Sequence, residues 1–163
     1  MNIVILSVCQ FFHLLATVVW IGGMAMILLV ILPGARNSLD AKNMGGIMKE
    51  VASRFTPLAN ASIVILVITG LLIGHVEKGF FGFGTWETQW KAVLVLKHLV
   101  VAAMVAIHFY RGMLLQPRIA RLASQANTSF QVPNLQKFSL RLVKINFGFG
   151  IFVLLLSGIL SSL

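Results

Sequence analysis

The stretch IVILSVCQFFHLLATVVWIGGMAMILLVIL, residues 3–32, decides the fold. It carries no Asp, Glu, Lys or Arg, and it exceeds the roughly 20 apolar residues that a helix needs to cross a bilayer. Similar runs recur along the chain and predict helices at about 3–32, 57–76, 91–115 and 138–162. The predicted fold is therefore all-α and integral to the membrane: an antiparallel bundle of four transmembrane helices, in a single domain over residues 1–163.

The composition excludes a soluble enzyme. Of the 163 residues, 58% are hydrophobic and 10% are charged, whereas soluble domains are about 45–50% apolar and about 25% charged. The first apolar run is also much longer than the roughly 7–15-residue core of a secretory signal peptide, and no basic residue precedes it. We therefore expect this run to be the first transmembrane helix and not a cleaved leader.

The net charge of +9 is concentrated in two of the predicted connections. The connection after the first helix contains Arg36, Lys42, Lys49 and Arg54. The third connection and its flanks contain Arg111, Arg118, Arg121, Lys137, Arg141 and Lys144. The positive-inside rule places both connections in the cytoplasm and both termini on the periplasmic or other extracytoplasmic side. The charge then reflects topology and contact with the lipid bilayer, and it gives no reason to expect a nucleic-acid partner.

Prolines supply the predicted helix boundaries. Pro33 and Pro117 are expected to end the first and third helices, because proline removes a backbone donor. Thr56 and Pro57 have the residue types of an N-cap and first helical position for the second helix, and Pro133 precedes the predicted fourth helix. The segment 78–90, rich in glycine and aromatic residues, predicts a belt at the outer membrane interface.

The histidines are the main candidates for function, because polar groups are costly in lipid and usually face the bundle interior. At about 1.5 Å per residue, His13 lies roughly 16 Å and His98 roughly 12 Å below the outer surface, on different helices. Two opposed imidazoles at similar depth suit the axial positions of a haem b iron. We predict His13 and His98 as the ligands, with Lys97 as the competitor of His98; His108, deeper, and His75, near the outer end, are second-tier candidates.

Other interpretations of the same residues stay open. A membrane histidine is often an interhelical hydrogen-bonding group, and Lys97 could extend its ammonium group to the outer interface. One haem fits the geometry better than two, without excluding two. The chain's seven Met, four His and one Cys also form a soft-ligand set that suits Cu(I). Cys9 and His13 share a helix face, and Met44 with Met48 would do so if their segment is helical.

These residues lead to three functional expectations. The first is an electron-transfer or oxidoreductase role in which the haem carries any catalysis, with a quinone or membrane redox protein as a partner and a homo-oligomer as an allowed state. The second is copper transport or resistance. The third is a non-catalytic subunit that packs against a larger membrane assembly.

Two families resemble the chain. The segment FHLLATVVWIGGMAMILLVILP is similar to the H-x6-W-x-G-G opening of the copper-resistance D (CopD) family, with His13, Trp20, Gly22 and Gly23 at the matching positions. The segments RFTPLANASIVILVITGLLIG and WKAVLVLKHLVVAAMVAIHFYRG continue the likeness. It implies a small four-helix membrane protein concerned with copper.

The same layout also resembles the HemJ protoporphyrinogen oxidases, small four-helix membrane proteins that hold a b-type haem. That resemblance implies haem contacts for His13 and Lys97, and it maps the later third-helix histidine of the family onto His108. The chain departs from the family after its first helix. It reads VILPGARNS where HemJ proteins have a Pro-Arg-rich segment with Tyr and His, so the resemblance does not extend to protoporphyrinogen oxidation.

Overall fold

The computed structural model describes residues 3–78, 89–124 and 131–162, without the side chains of residues 41, 42 and 75–78. The predicted aromatic belt at 78–90 therefore falls almost entirely outside the described residues. Within the described ranges the structure is helical and contains no strand. We number the helices α1 (Ile3–Ser38), α2 (Ala41–Lys78), α3 (Gln89–Ala123) and α4 (Val132–Ser162).

Each of the four helices contains a stretch long and apolar enough to cross a membrane. Large apolar side chains are exposed along all of them, for example Leu14, Leu71, Leu99 and Leu155. Exposed apolar surface of this extent is stable in contact with lipid tails and unstable in water. The prediction of an all-α integral membrane protein with four spanning helices is therefore confirmed.

The chain divides into two compact units, Met1–Thr85 and Trp86–Leu163, each holding two of the helices. In unit 1, α1 and α2 are antiparallel, because His13 meets Thr69 while Gly23, further along α1, meets the earlier residue Phe55. In unit 2, α3 packs along α4. The closure of all four helices into one antiparallel bundle and one domain stays a prediction.

Two of the predicted helix ends are wrong, and in both cases a π-helical turn precedes the proline. Pro33 follows the π-helical segment Ile27–Ile31 and lies in the first turn of the α-helical segment Leu32–Ser38. Pro117 follows Tyr110–Leu115 in the same way. Proline is tolerated in a first turn, where its missing N–H is not needed. Both helices therefore continue beyond their prolines.

The predicted start of the second helix is also wrong. The helix begins at Ala41, because Asp40 acts as its N-cap: the backbone N–H of Asn43 donates to Asp40 Oδ1 at 3.2 Å. Pro57 lies inside α2, and the Thr56 hydroxyl donates to the Ala52 carbonyl at 2.7 Å instead of capping. Prolines are more frequent in membrane helices than in soluble ones.

A close approach of backbone to side chain joins the two helices of unit 1. A Cβ atom added at Gly23 would overlap the ring of Phe55, with its Cζ at 2.8 Å. Any larger residue at this crossing would have to displace the Phe55 ring, and small residues are common at contacts between membrane helices. Trp20, 2% exposed, lies one turn earlier on α1, in the π-helical segment Val18–Gly22.

Candidate metal-binding site

His13 is held by a hydrogen bond from α1 to α2. Its Nδ1 lies 2.8 Å from the hydroxyl oxygen of Thr69, which is buried. The same hydroxyl lies 2.6 Å from the backbone carbonyl of Ile65, which can only accept. Thr69 has a single hydroxyl proton and donates it to Ile65, so it accepts from His13 Nδ1–H. The lone pair of the neutral imidazole is consequently on Nε2.

Two neighbouring residues contact His13, one at its ring and one at its backbone. A Cβ atom added at Gly70 would lie 3.4 Å from His13 Cε1, so the glycine lets the imidazole rest against the backbone of α2. On α1 itself, the Thr17 hydroxyl donates to the backbone carbonyl of His13 at 2.8 Å. Metal-binding histidines usually donate their second ring N–H to an oxygen, as His13 does to Thr69, and this fixes the tautomer and the ring orientation.

Cys9 lies one helical turn before His13 and carries a half-buried free thiol. Side chains four residues apart on a helix share a face, with Cβ atoms about 5–6 Å apart. Thiolate sulfur and imidazole nitrogen are both good ligands for soft transition metals. Within the described ranges, no group of three His, Cys, Asp or Glu side chains is arranged to hold a metal ion. Cys9 and His13 are thus a two-ligand arrangement.

A second pair of soft ligands lies at the other end of α2. Met44 and Met48 share a helix face only if their segment is helical. Both lie in α2, one turn apart, so this condition is met. Both thioether side chains are half-buried. They lie about 32–38 Å along α2 from the level of Thr69, at about 1.5 Å per residue. Unit 1 therefore presents one soft-ligand pair near each end.

The remaining predicted ligands occupy different environments. His98, on α3, is exposed, and its Nδ1 donates to the backbone carbonyl of Leu94 at 2.7 Å, so its lone pair is also on Nε2. Lys97 is half-buried. His108 is 6% exposed and its ring packs edge-on against Phe109, with the centroids 5.5 Å apart.

The predicted pairing of His13 with His98 stays a prediction, because the two residues belong to different units. The side chain of His75 lies outside the described residues. The haem ligand set of the sequence analysis is therefore neither confirmed nor contradicted.

Thr69 and Gly70 are the site residues that the sequence analysis did not identify. A signal for Thr69 was present, since a hydroxyl inside the apolar run of α2 is subject to the same argument as a histidine. Gly70 gave no signal of its own. Its role depends on which residue of α1 lies opposite, and the helix crossing decides that.

The fold and the exposed apolar surface define a multi-pass α-helical membrane protein. A family model described as copper resistance protein D (CopD) matches residues 49–160, which is more than half of the chain, and the protein belongs to this family. Comparisons with curated proteins and with solved structures gave no match. The resemblance to CopD noted in the sequence is thereby confirmed.

The family match begins within α2 and leaves out the whole of α1. The segment with His13, Trp20, Gly22 and Gly23 therefore lies outside the matched residues. Thr69 and Gly70, which contact His13, lie inside them.

Proposed function

We propose that the protein handles copper at the membrane, with Cu(I) as its cargo, and that Cys9 and His13 supply two of the ligands. Membership of a family described as copper resistance protein D carries this proposal. Cu(I) prefers soft sulfur ligands and also binds imidazole. Cys9 and His13 offer one ligand of each kind, one turn apart on α1.

The hydrogen bond from His13 to Thr69 supports the proposal because it prepares the ring for a metal. It keeps the proton on Nδ1 and the lone pair on Nε2. Met44 and Met48 supply thioether ligands at the other end of unit 1. Two weak soft-ligand sites at different depths suit a cargo ion that must be released as well as bound.

The test is a competition between the purified protein and a Cu(I)-specific chelator. We expect His13→Ala and Cys9→Ser each to weaken Cu(I) binding by at least about tenfold, since a lost ligand costs no less than a lost supporting hydrogen bond. The control is Ser7→Ala, on the same helix, because the Ser7 hydroxyl is exposed and donates to the Ile3 carbonyl. Unchanged affinity in both site variants would contradict the assignment.

Haem b is the second candidate, favoured by the hydrogen bonds of two histidines. His13 and His98 both donate from Nδ1 and both carry their lone pair on Nε2, which is the arrangement that iron ligation needs. This candidate includes the electron-transfer or oxidoreductase role, a quinone or membrane redox partner, and Lys97 as the competing ligand.

An absorption spectrum distinguishes the two candidates. A haem protein shows a Soret band that disappears in His13→Ala and His98→Ala and persists in His75→Ala. For the copper proposal, His98→Ala is without effect on Cu(I) affinity. A protein that binds neither haem nor copper would leave the third expectation, a non-catalytic assembly subunit.

We further propose that the two basic connections face the cytoplasm and both termini face outward, by the positive-inside rule. Alkaline phosphatase becomes active only after export. Fused after Leu163, it should therefore be active, whereas fused in the α1–α2 connection at Leu39 it should be inactive. The opposite pattern would reverse the orientation.

A further inference from the structure

We propose that unit 2 holds a further Cu(I) site, made of the Met104 thioether and the His108 imidazole, with Asn146 of α4 as the positioning residue. The inference rests on the proposed copper function, which it extends from unit 1 to unit 2. The segments that carry the ligands share one spacing, CQFFH at residues 9–13 in unit 1 and MVAIH at residues 104–108 in unit 2. Each unit thus has a soft sulfur ligand four residues before a histidine.

Met104 and His108 share one face of α3 and are almost completely buried. Side chains four residues apart on a helix have Cβ atoms about 5–6 Å apart. Met104 is 1% exposed and His108 is 6% exposed, whereas Met113, on the same helix, is 70% exposed. Helical side chains lean toward the N-terminus of their helix, so the His108 ring lies over the turn that contains Met104. Thioether sulfur and imidazole nitrogen both suit Cu(I).

The contact between Gln116 and Ser139 sets the level of this pair against α4. Gln116 Nε2 donates to the Ser139 hydroxyl at 3.2 Å. Only a short stretch of α4 precedes Ser139, so the segment Gln89–Phe109, which packs against α4, meets its later part and the two helices are antiparallel. From this contact into the span, His108 is about 12 Å away on α3 and Asn146 about 10 Å away on α4. The two side chains are therefore at nearly the same depth.

A π-helical turn brings His108 to the side of α3 that meets α4. The π-helical segment Tyr110–Leu115 lies between His108 and Gln116. A π-helix forms its hydrogen bonds five residues along the chain instead of four, so these eight residues make about two turns. His108 and Gln116 consequently lie on the same side of α3. Single π-helical turns inside α-helices frequently occur at functional sites.

Asn146 is placed to support His108 as Thr69 supports His13. Asn146 is 3% exposed, and it lies two turns after Ser139 on the side of α4 that packs against α3. Its side-chain amide can both donate and accept a hydrogen bond. A polar group at this depth can fix the tautomer and orientation of a metal-binding imidazole.

Arg111 favours a monovalent ion at this pair. It is half-buried and lies one turn after His108, on the side away from Met104, and its guanidinium interacts electrostatically with the His108 ring. Repulsion by this charge costs a divalent ion more free energy than a monovalent ion at the same distance. The thioether and the neutral imidazole carry no negative charge that would offset the repulsion. We therefore expect the site to bind Cu(I) in preference to Zn²⁺.

The test is ¹⁵N NMR of the histidine side chains in the purified full chain, with Cu(I) supplied from a weak Cu(I)-specific chelator. The His108 resonances, assigned by their loss in His108→Ala, should shift as Cu(I) is added. Met104→Leu conserves volume and should raise the Cu(I) concentration needed for the shift by at least about tenfold, as expected for a lost ligand. The matched control is Met113→Leu, which removes an exposed thioether from the same helix and should leave the response unchanged.

The positioning role of Asn146 has its own readout in the same spectra. Asn146→Leu should mix the tautomers of His108 in the metal-free protein and weaken its response to Cu(I) by about 10–100-fold. An unchanged tautomer and an unchanged response would overturn this role.

Three results would overturn the site itself: His108 resonances that do not respond to Cu(I), equal responses in Met104→Leu and Met113→Leu, or a response to Zn²⁺ as strong as that to Cu(I). The His13 resonances distinguish this failure from failure of the proposed function. If His13 responds to Cu(I) and His108 does not, only the unit 2 site is wrong. If neither histidine responds, the copper proposal for unit 1 fails as well.

Discussion

Replacing Thr69 with valine tests the central contact of the candidate site. Valine has nearly the same shape as threonine and lacks the hydroxyl, so the change removes the acceptor that lies 2.8 Å from His13 Nδ1. The Nδ1–H group of the ring then loses this acceptor. We expect the tautomer to become mixed and the ring orientation to loosen.

Thr69→Val should weaken Cu(I) binding by more free energy than it removes from the stability of the fold. Hydrogen bonds between membrane helices average about 0.6 kcal/mol and reach about 1.7 kcal/mol, so Thr69→Val should destabilise the protein by roughly 1 kcal/mol. Loss of a group that supports a metal ligand typically lowers metal affinity by about 10–100-fold, equivalent to about 1.4–2.7 kcal/mol. A variant that is folded but binds Cu(I) at least tenfold more weakly would show that Thr69 positions the ligand.

Two measurements on the same samples examine this reasoning. Chelator competition gives the Cu(I) affinity, and ¹⁵N NMR of the metal-free protein gives the tautomer of His13. Thr69→Ser, which keeps the hydroxyl, should retain both the Cu(I) affinity and the His13 tautomer of the wild-type protein. The control is Thr17→Val, because the Thr17 hydroxyl contacts the His13 carbonyl and not its ring.

The possible outcomes test the His13–Thr69 hydrogen bond and the copper proposal independently. If His13 keeps its Nδ1–H tautomer and its affinity in Thr69→Val, the reasoning about the hydrogen bond is refuted. If the tautomer changes while neither the wild-type protein nor any variant binds Cu(I), the contact stands and the copper proposal fails.

The helix crossing of unit 1 and the space beside the ring give further predictions. Gly23→Ala should lower the free energy of unfolding in detergent by about 1–3 kcal/mol, because the added methyl group overlaps the Phe55 ring. The control, Gly22→Ala, should be neutral or slightly stabilising, because its added Cβ meets nothing within 4 Å. Equal stability of the two variants would contradict the close packing at Gly23. Gly70→Ala should retain Cu(I) binding because its Cβ would lie 3.4 Å from His13, and Gly70→Leu should lose it because the longer side chain would displace the ring. Retention of binding by Gly70→Leu would show that the ring does not need this space.

Hydropathy was sufficient to predict the membrane helices, and proline was a poor guide to their ends. The apolar runs dictate helices because no other single-segment structure satisfies its backbone hydrogen bonds in lipid. Pro33 and Pro117 do not end them, because each follows a π-helical turn and occupies the first turn of a new α-helical segment. The sequence has no established signal for such π-helical turns, which are rare. The helices consequently extend into the basic connections.

The candidate site could be predicted in part. His13 was identified because an imidazole in an apolar run is costly unless it has a partner. Its partner, Thr69, lies 56 residues away along the chain, and only the crossing of α1 and α2 brings the two side chains together. The crossing depends on shape, on the fit of Gly23 against Phe55 and of Gly70 against the His13 ring, and shape complementarity of this kind is not encoded in hydropathy.

The position of the family match makes the contact between α1 and α2 informative about the site. The match covers residues 49–160, so it includes Thr69 and Gly70 and excludes His13. Thr69 and Gly70 both contact the His13 ring, and neither supplies a metal ligand in the proposed site. If Thr69 and Gly70 served only to pack the helices, an apolar residue of equal size would serve in place of His13. His13→Leu should then preserve both folding and Cu(I) binding. We expect it instead to preserve folding and to weaken Cu(I) binding by at least about tenfold, since leucine has no lone pair to present.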